Sequence, residues 1–151
     1  MVSDLGEIRA FGRRVLIPFY ESIGLPQYGE MTLAQYWESD EQVLAVGEGR
    51  VLVAEVDGSI VGVTEFGSYN GEPIIWKLYI QPGMRRHGLG TKLVNAVIST
   101  GAKGATSVLV EHPIENESAG RFYDLLGFDV AWVDTGDGPG ATTVWRRRTL
   151  R

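Results

Sequence analysis

Between positions 5 and 23 apolar residues recur at three- and four-residue steps. Ile8, Phe11, Val15, Leu16, Phe19 and Tyr20 share one face, which predicts a helix over 5–23. Pro18 falls inside it and is expected to kink or interrupt it. The stretch GLPQYGE reads as a loop, and Thr32 as the N-cap of a second helix through Leu33, Tyr36 and Trp37. Strand patterns then take over. Residues 51–56 are β-branched and apolar, Asp57-Gly58 is a two-residue hairpin turn, and 60–66 runs back. Residues 68–73 read as a turn and 74–80 as a third strand, which completes an antiparallel meander.

The helical period returns at 88–100, with Leu89, Leu93, Val94, Val97 and Ile98 on the buried face and Gly101 and Gly104 as the stop. Residues 107–111 form a short apolar run expected at the centre of a sheet. Ala119, Phe122, Tyr123 and Leu126 define an amphipathic helix over 116–126, ended by Gly127. Two last strands, 128–133 and 141–147, flank a loop rich in Gly and Pro. The predicted order is ααβββαβαββ: an α+β, sandwich-like fold with four helices on a mixed central sheet. Strand 74–80 and strand 107–111 would lie parallel, joined by a right-handed crossover.

A chain of 151 residues fits one domain spanning 1–151. No apolar run approaches the roughly 20 residues that a membrane span needs. The first residues, MVSDLGEIRAFG, carry charges where a secretion signal has its apolar centre, so a cytoplasmic protein is expected. A net charge of −5 argues against nucleic acid and for a cationic partner. The chain has no cysteine, which removes disulfides, thiolate metal sites and any cysteine nucleophile. The run Arg146, Arg147 and Arg148 is expected to be a solvated strand end.

Residues 84–91, MRRHGLGT, place two glycines at the start of a helix, where each costs roughly 1 kcal/mol against alanine. A helix N-terminus presents unpaired N–H groups and partial positive charge, and a phosphate fits them. Gly88 and Gly90 would let a diphosphate reach the backbone, Arg85 and Arg86 would add charge, and His87 a donor. A plain strand-to-helix turn with glycine at positive φ fits G-x-G equally well. A Walker loop is excluded because Lys92 is not placed for it, and a Rossmann fingerprint because position 93 is Leu.

The stretch LYIQPGMRRHGLGTKLV resembles the signature of the GNAT superfamily of acyl-CoA N-acyltransferases: a Leu-Tyr-Val-like triplet, a Pro, then (R/Q)-x-x-G-x-(G/A) opening a helix. NESAGRFYDLLGF resembles that family's second block through Asn116, Ala119, Phe122-Tyr123 and Gly127-Phe128. The likeness covers roughly residues 50–133 and implies a GNAT fold whose parallel strands splay apart around acetyl-CoA, used as co-substrate without a metal. It implies that Leu78, Tyr79 and Ile80 pair with the pantetheine arm. The turn Arg85, Arg86, His87, Gly88, Leu89, Gly90 and Thr91 would hold the pyrophosphate, Asn116 would bond the pantetheine, and Tyr123 would be the general acid. A phenol, with pKa about 10, stays protonated at neutral pH and suits a thiolate leaving group.

Many relatives carry a Glu where this chain has Ile74, so the base is open among Glu72, Glu65, Glu111 and His112, with Glu65 and Glu111 favoured. The reaction implied is direct attack of a primary amine on the thioester in a ternary complex; the alternative is a non-catalytic acyl-CoA-binding sensor. The acceptor would be a small-molecule or peptide amine, with no nucleic acid or membrane involved, and a homodimer is compatible with this reading. Its pocket would be walled by Phe19, Tyr20, Tyr28, Tyr36, Trp37 and loop 134–140. Asp134, Asp137, Glu21 and Glu30 are in reach of a cation.

Overall fold

The protein is described by a computed structural model that covers residues 4–85 and 88–151. The chain opens with helices α1 (Leu5–Ser22), α2 (Pro26–Thr32, prolonged by a π-helical turn over Leu33–Trp37) and α3 (Asp40–Gly47). Strands β1 (Val51–Val56), β2 (Ser59–Tyr69) and β3 (Glu72–Ile80) follow. Then come α4 (Leu89–Thr100), β4 (Ser107–Pro113), α5 (Glu117–Leu125), β5 (Asp129–Asp134) and β6 (Thr143–Thr149). The strands form one sheet in the order β1-β2-β3-β4-β6-β5. Every neighbouring pair is antiparallel except β3 and β4. This is the mixed sheet with a meander and one parallel pair that the pattern predicts.

The main differences fall between residues 18 and 47. Pro18 sits on the exposed side of α1 and the helix runs through it, because one lost hydrogen bond on the solvent side is tolerable. The stretch expected to be a loop becomes helix from Pro26, a residue suited to a first helical turn. Thr32 therefore lies inside helical structure and caps nothing. Helix α3 buries only Gln42, Ala45 and Val46, too short a pattern to stand out, so the described helices number five and not four. The second hairpin turns tightly at Asn70-Gly71, both with positive φ, so β2 and β3 reach into the expected turn.

Each face of the sheet carries its own core. On one, Ile8, Phe11, Val15 and Leu16 of α1 pack with Trp37, Ile60 and Val63. On the other, Val94 and Val97 of α4 pack with Ile75, Val108, Val110 and Phe128. Full burial of each such side chain contributes about 1.5–3 kcal/mol. No helix among the described residues is long and apolar enough to cross a membrane.

Strand β3 carries a bulge. Glu65 of β2 faces Lys77, but the next residue, Phe66, faces Ile75, so Trp76 is an extra residue. Beyond the bulge Lys77 and Tyr79 point to the α1 side and Leu78 to the α4 side. Lys77 is buried beneath helix α3. Its ammonium group donates to the Tyr36 carbonyl, to Gln42 Oε1 at 2.6 Å and to Glu65 Oε1 at 2.8 Å, and lies 5.0 Å from the Trp37 ring centre. Burial pulls the Lys77 pKa down, and the Glu65 carboxylate opposes that shift. The knot ties the N-terminal helices to the sheet.

Removing one partner of a buried pair strands the other charge. Lys77→Met is expected to cost about 3–5 kcal/mol. Adding Glu65→Leu to that variant should recover most of the loss. The urea midpoint at unchanged denaturant slope measures both.

Candidate active site

Strands β3 and β4 pair only at Ile74↔Leu109 and Ile75↔Val110. Beyond the bulge β3 runs on to Ile80, while β4 stays with β6 as far as Pro113↔Thr143. The two parallel strands therefore part, and the edge of residues 78–80 turns toward a cleft. A cavity of about 280 Å³ opens there, bounded by that edge, by Arg85 and Gly88 before α4, and by Asn116, Phe122 and Tyr123. A second chamber of about 50 Å³ shares Leu78, Tyr79, Asn116, Ala119 and Tyr123 with it. Tyr20, Tyr28, Ile75, Trp76, Glu111, His112 and Pro113 complete its walls. Tyr123 thus stands where the two cavities meet.

The two glycines of the turn have different reasons to be there. Gly88 has φ 71°, a left-handed conformation that L side chains rarely adopt, and it caps α4. Gly90 is fixed by packing, since a Cβ there would lie 3.0 Å from the Phe122 ring. The first bond of α4 runs from Lys92 N to the Gly88 carbonyl, so the N–H groups ahead of Lys92 lack helical partners. Arg85 lies over the Phe19 ring at 5.0 Å and lines the larger cavity. Arg86 and His87 lie outside the described residues. Leu89 opens α4, and Thr91 joins the cavity wall.

Asn116 caps α5 by accepting from Ala119 N at 3.2 Å, and Ser118 Oγ donates to the same oxygen at 3.0 Å. Its amide NH₂ takes no part in the cap and can serve a ligand. Tyr123 is buried among Phe122, Phe128 and His112, whose ring it stacks on at 6.2 Å. Burial raises its pKa well above the ordinary phenol, and the negative charge of Glu111 adds to this. Tyr20 and Tyr79 share a hydrogen bond between hydroxyls at 2.7 Å. Burial pushes Tyr20 up to about 12, although the bond from Tyr79 pulls the other way. Tyr79 and Tyr28 are raised by burial as well. Glu111 itself is raised, first by burial and then by the charge of Asp134. All the phenols of the chamber are therefore protonated at neutral pH.

His112 has both nitrogens engaged. Arg146 Nε donates to Nε2 at 3.1 Å, so that nitrogen is the acceptor, and Nδ1–H donates to the Pro113 carbonyl at 2.8 Å. Burial lowers its pKa, and the Arg146 charge lowers it further. Arg146 is buried, also donates to Asp124 Oδ1 and to the Phe128 carbonyl at 3.1 Å, and so braces α5 against β6.

This corrects the expectation of a solvated arginine run. Arg147 is half-exposed and grips Glu72 through two bonds, at 2.7 and 2.9 Å. Those bonds, with one from Ser107, hold the Glu72 pKa below the usual range. Glu65 accepts from Lys77 and Gln42 and lines neither of the two cavities. Ile74, where many relatives carry Glu, is fully buried beside Leu109 and Trp145. The Arg146–His112 contact had no signal in the sequence beyond a charged residue set within an apolar strand. Among the described residues no three His, Cys, Asp or Glu side chains gather to hold a metal ion.

The structure is similar to that of PaiA N-acetyltransferase from Thermoplasma acidophilum, solved in complex with coenzyme A. The TM-score is 0.80 and the identity 18%, over 99% of this chain and 95% of that one. It is similar to Ard1 from Thermoplasma volcanium, with TM-score 0.71 and 20% identity over 100% of this chain and 94% of that one. It also resembles yncA of Salmonella typhimurium, a putative acetyltransferase solved with acetyl-CoA, with TM-score 0.60 and 24% identity over 75% of each chain. No curated protein matches the sequence. The sequence profile of the acetyltransferase (GNAT) family matches residues 15–128, and with the splayed strand pair and glycine turn in place the chain belongs to that family of acyltransferases.

Proposed function

We propose that this enzyme moves the acetyl group of acetyl-CoA to a primary amine by direct attack within a ternary complex. The observation that carries the reading is Tyr123, set at the junction of a cleft beside an open strand edge and a small chamber holding a carboxylate. Acetyl-CoA supplies an activated thioester carbonyl. The residues fit it: the backbone edge of Leu78, Tyr79 and Ile80, past the end of the pairing with β4, borders the cavity where an amide-bearing arm would lie, and the Asn116 amide faces the same cavity. The N-terminus of α4 with Gly88, Leu89, Gly90 and Thr91 suits a pyrophosphate. Arg85 adds charge, and Arg86 and His87 come just before Gly88 in the sequence.

Glu111 takes the proton from the incoming ammonium, directly or through water, and frees the lone pair that attacks. As the C–N bond forms and the C–S bond breaks, Tyr123 donates its phenolic proton to the departing sulfur, and the second proton that the nitrogen sheds restores the phenol. A raised phenol pKa keeps that proton available, and a raised carboxyl pKa brings Glu111 closer to its task. Holding both partners at one junction contributes through proximity. Of the two carboxylates favoured from the sequence, we assign the base to Glu111. Glu65 serves the Lys77 knot, and the Nε2 lone pair of His112 is taken by Arg146.

Tyr123→Phe is expected to lower kcat about 10²–10⁴-fold. Its coenzyme A affinity should stay at the wild-type value, as thiol release and calorimetric titration would show; wild-type turnover removes the residue from the acid role. For Glu111 the folded pKa is raised, so its neutral form favours the fold. Its contribution to stability is present at low pH and fades as pH rises through the raised pKa. Activity needs the ionised form. The acidic limb of kcat/KM should therefore lie above the ordinary glutamate value of about 4.3 and disappear in Glu111→Gln. For His112, nitrogen-15 NMR should find a neutral Nδ1–H ring at pH 7, and Arg146→Met should move its titration upward. An imidazolium at pH 7 in the wild type would reopen its candidacy as base.

A further inference from the structure

The chamber beside Tyr123 has an uneven charge. Among the described residues that line it there is no lysine or arginine. Its one carboxylate is Glu111, and Asp134 lies close enough to raise that group. His112 is held neutral by its bond from Arg146, which is itself turned to Asp124. The remaining polar side chains are phenols, the Asn116 amide and the Trp76 indole, and none of them carries a charge. A substrate ammonium entering here meets a carboxylate and aromatic faces, an arrangement that attracts a cation. A carboxylate on the carbon next to that amine would meet Glu111, with no lysine or arginine among the described lining residues to neutralise it.

Beside the chamber lies an apolar shelf of aromatic rings that meets it at Trp76. Trp76, the extra residue of the bulge, lines it. Gly67 leaves the space that this indole fills, since a Cβ there would lie 2.8 Å from Trp76 Nε1. From Trp76 the rings continue edge-on to Tyr69 at 6.1 Å and to Trp145 at 6.4 Å, and Trp145 stacks on Trp132 at 5.0 Å. Trp76, Tyr69 and Trp132 are only partly buried. Trp145 faces Glu111 directly across β4 and β6, so shelf and carboxylate share one side of the sheet. The chamber's small volume admits an amine and a short methylene arm, and the rest of the molecule would lie against the shelf.

Resting on the acyl-transfer reading above, we infer that the acceptor is a carboxylate-free primary amine on a flat apolar body, an arylalkylamine in chemical class. The test compares 2-phenylethylamine, phenylalanine and n-hexylamine as acceptors with acetyl-CoA, beside a separate titration with coenzyme A. Phenylalanine should fall below 2-phenylethylamine in kcat/KM by about 100-fold or more, the size of an uncompensated like-charge contact. Hexylamine should fall below it by about 10-fold, the size of one lost ring contact. Trp76→Leu should raise KM for 2-phenylethylamine more than that for hexylamine and leave the coenzyme affinity unchanged. Phenylalanine used as well as its decarboxylated partner, or hexylamine as well as the aryl amine, overturns the inference. So does coenzyme binding with no turnover or binding of 2-phenylethylamine. Failure of coenzyme A to bind overturns the acyl-transfer reading instead.

Discussion

At Trp76 strand β3 carries one residue more than its partner β2, and its pairing with β4 stops at the residue before. A bulge twists and bends its strand. Here it also reverses which side the following residues face. Lys77 turns into the knot beneath α3 and Tyr79 turns toward Tyr20, while Leu78 joins the core under α4. A one-residue slip exchanges every side chain between the faces, so without the extra residue neither the knot nor the phenol pair could form as they do. The same event frees the β3 edge from β4 and opens the sheet at its middle, where backbone groups are otherwise consumed by neighbouring strands.

What fills the gap is arranged to keep charge low and protons in place. Helix α5 is anchored by its Asn116 cap at one end and by Asp124 and Arg146 at the other, which fixes Tyr123 between them. Arg146 reaches His112 from behind and determines its tautomer, so the ring stacked on Tyr123 is uncharged. Burial raises the phenols and Glu111 together. One ionisable carboxyl amid proton-holding phenols is an electrostatic setting suited to deprotonating an ammonium while keeping an acid ready for a thiolate.

Much of this could be read from residue patterns because local rules and tertiary demands agree there. Asp57-Gly58 turns where its type requires, the period of α4 reports its buried face, and on α5 Tyr123 is buried while Ala119, Phe122 and Leu126 are partly so. The region 24–47 was opaque because its helices are short and one of its buried residues is Gln42, whose partner Lys77 is 35 positions away. The bulge left no trace in composition. The role of Arg146 was hidden for a similar reason: alternation along β6 cannot tell a solvated arginine from one that reaches beneath a helix. The glycine turn was read for a ligand, yet Gly90 also answers to Phe122, a residue 32 positions later whose closeness only the fold creates. The pair Tyr123 and Glu111 was legible as two candidates, but their shared chamber depends on β3, β4, α5 and the N-terminal helices coming together.

The gap in the sheet as the seat of the acyl donor is tested most directly by a crystal grown with coenzyme A. The pantetheine arm should hydrogen-bond the β3 backbone at Leu78–Ile80, with its sulfur beside Tyr123 and its diphosphate at the start of α4. A cleft left empty, or coenzyme seated on another part of the molecule, would contradict it.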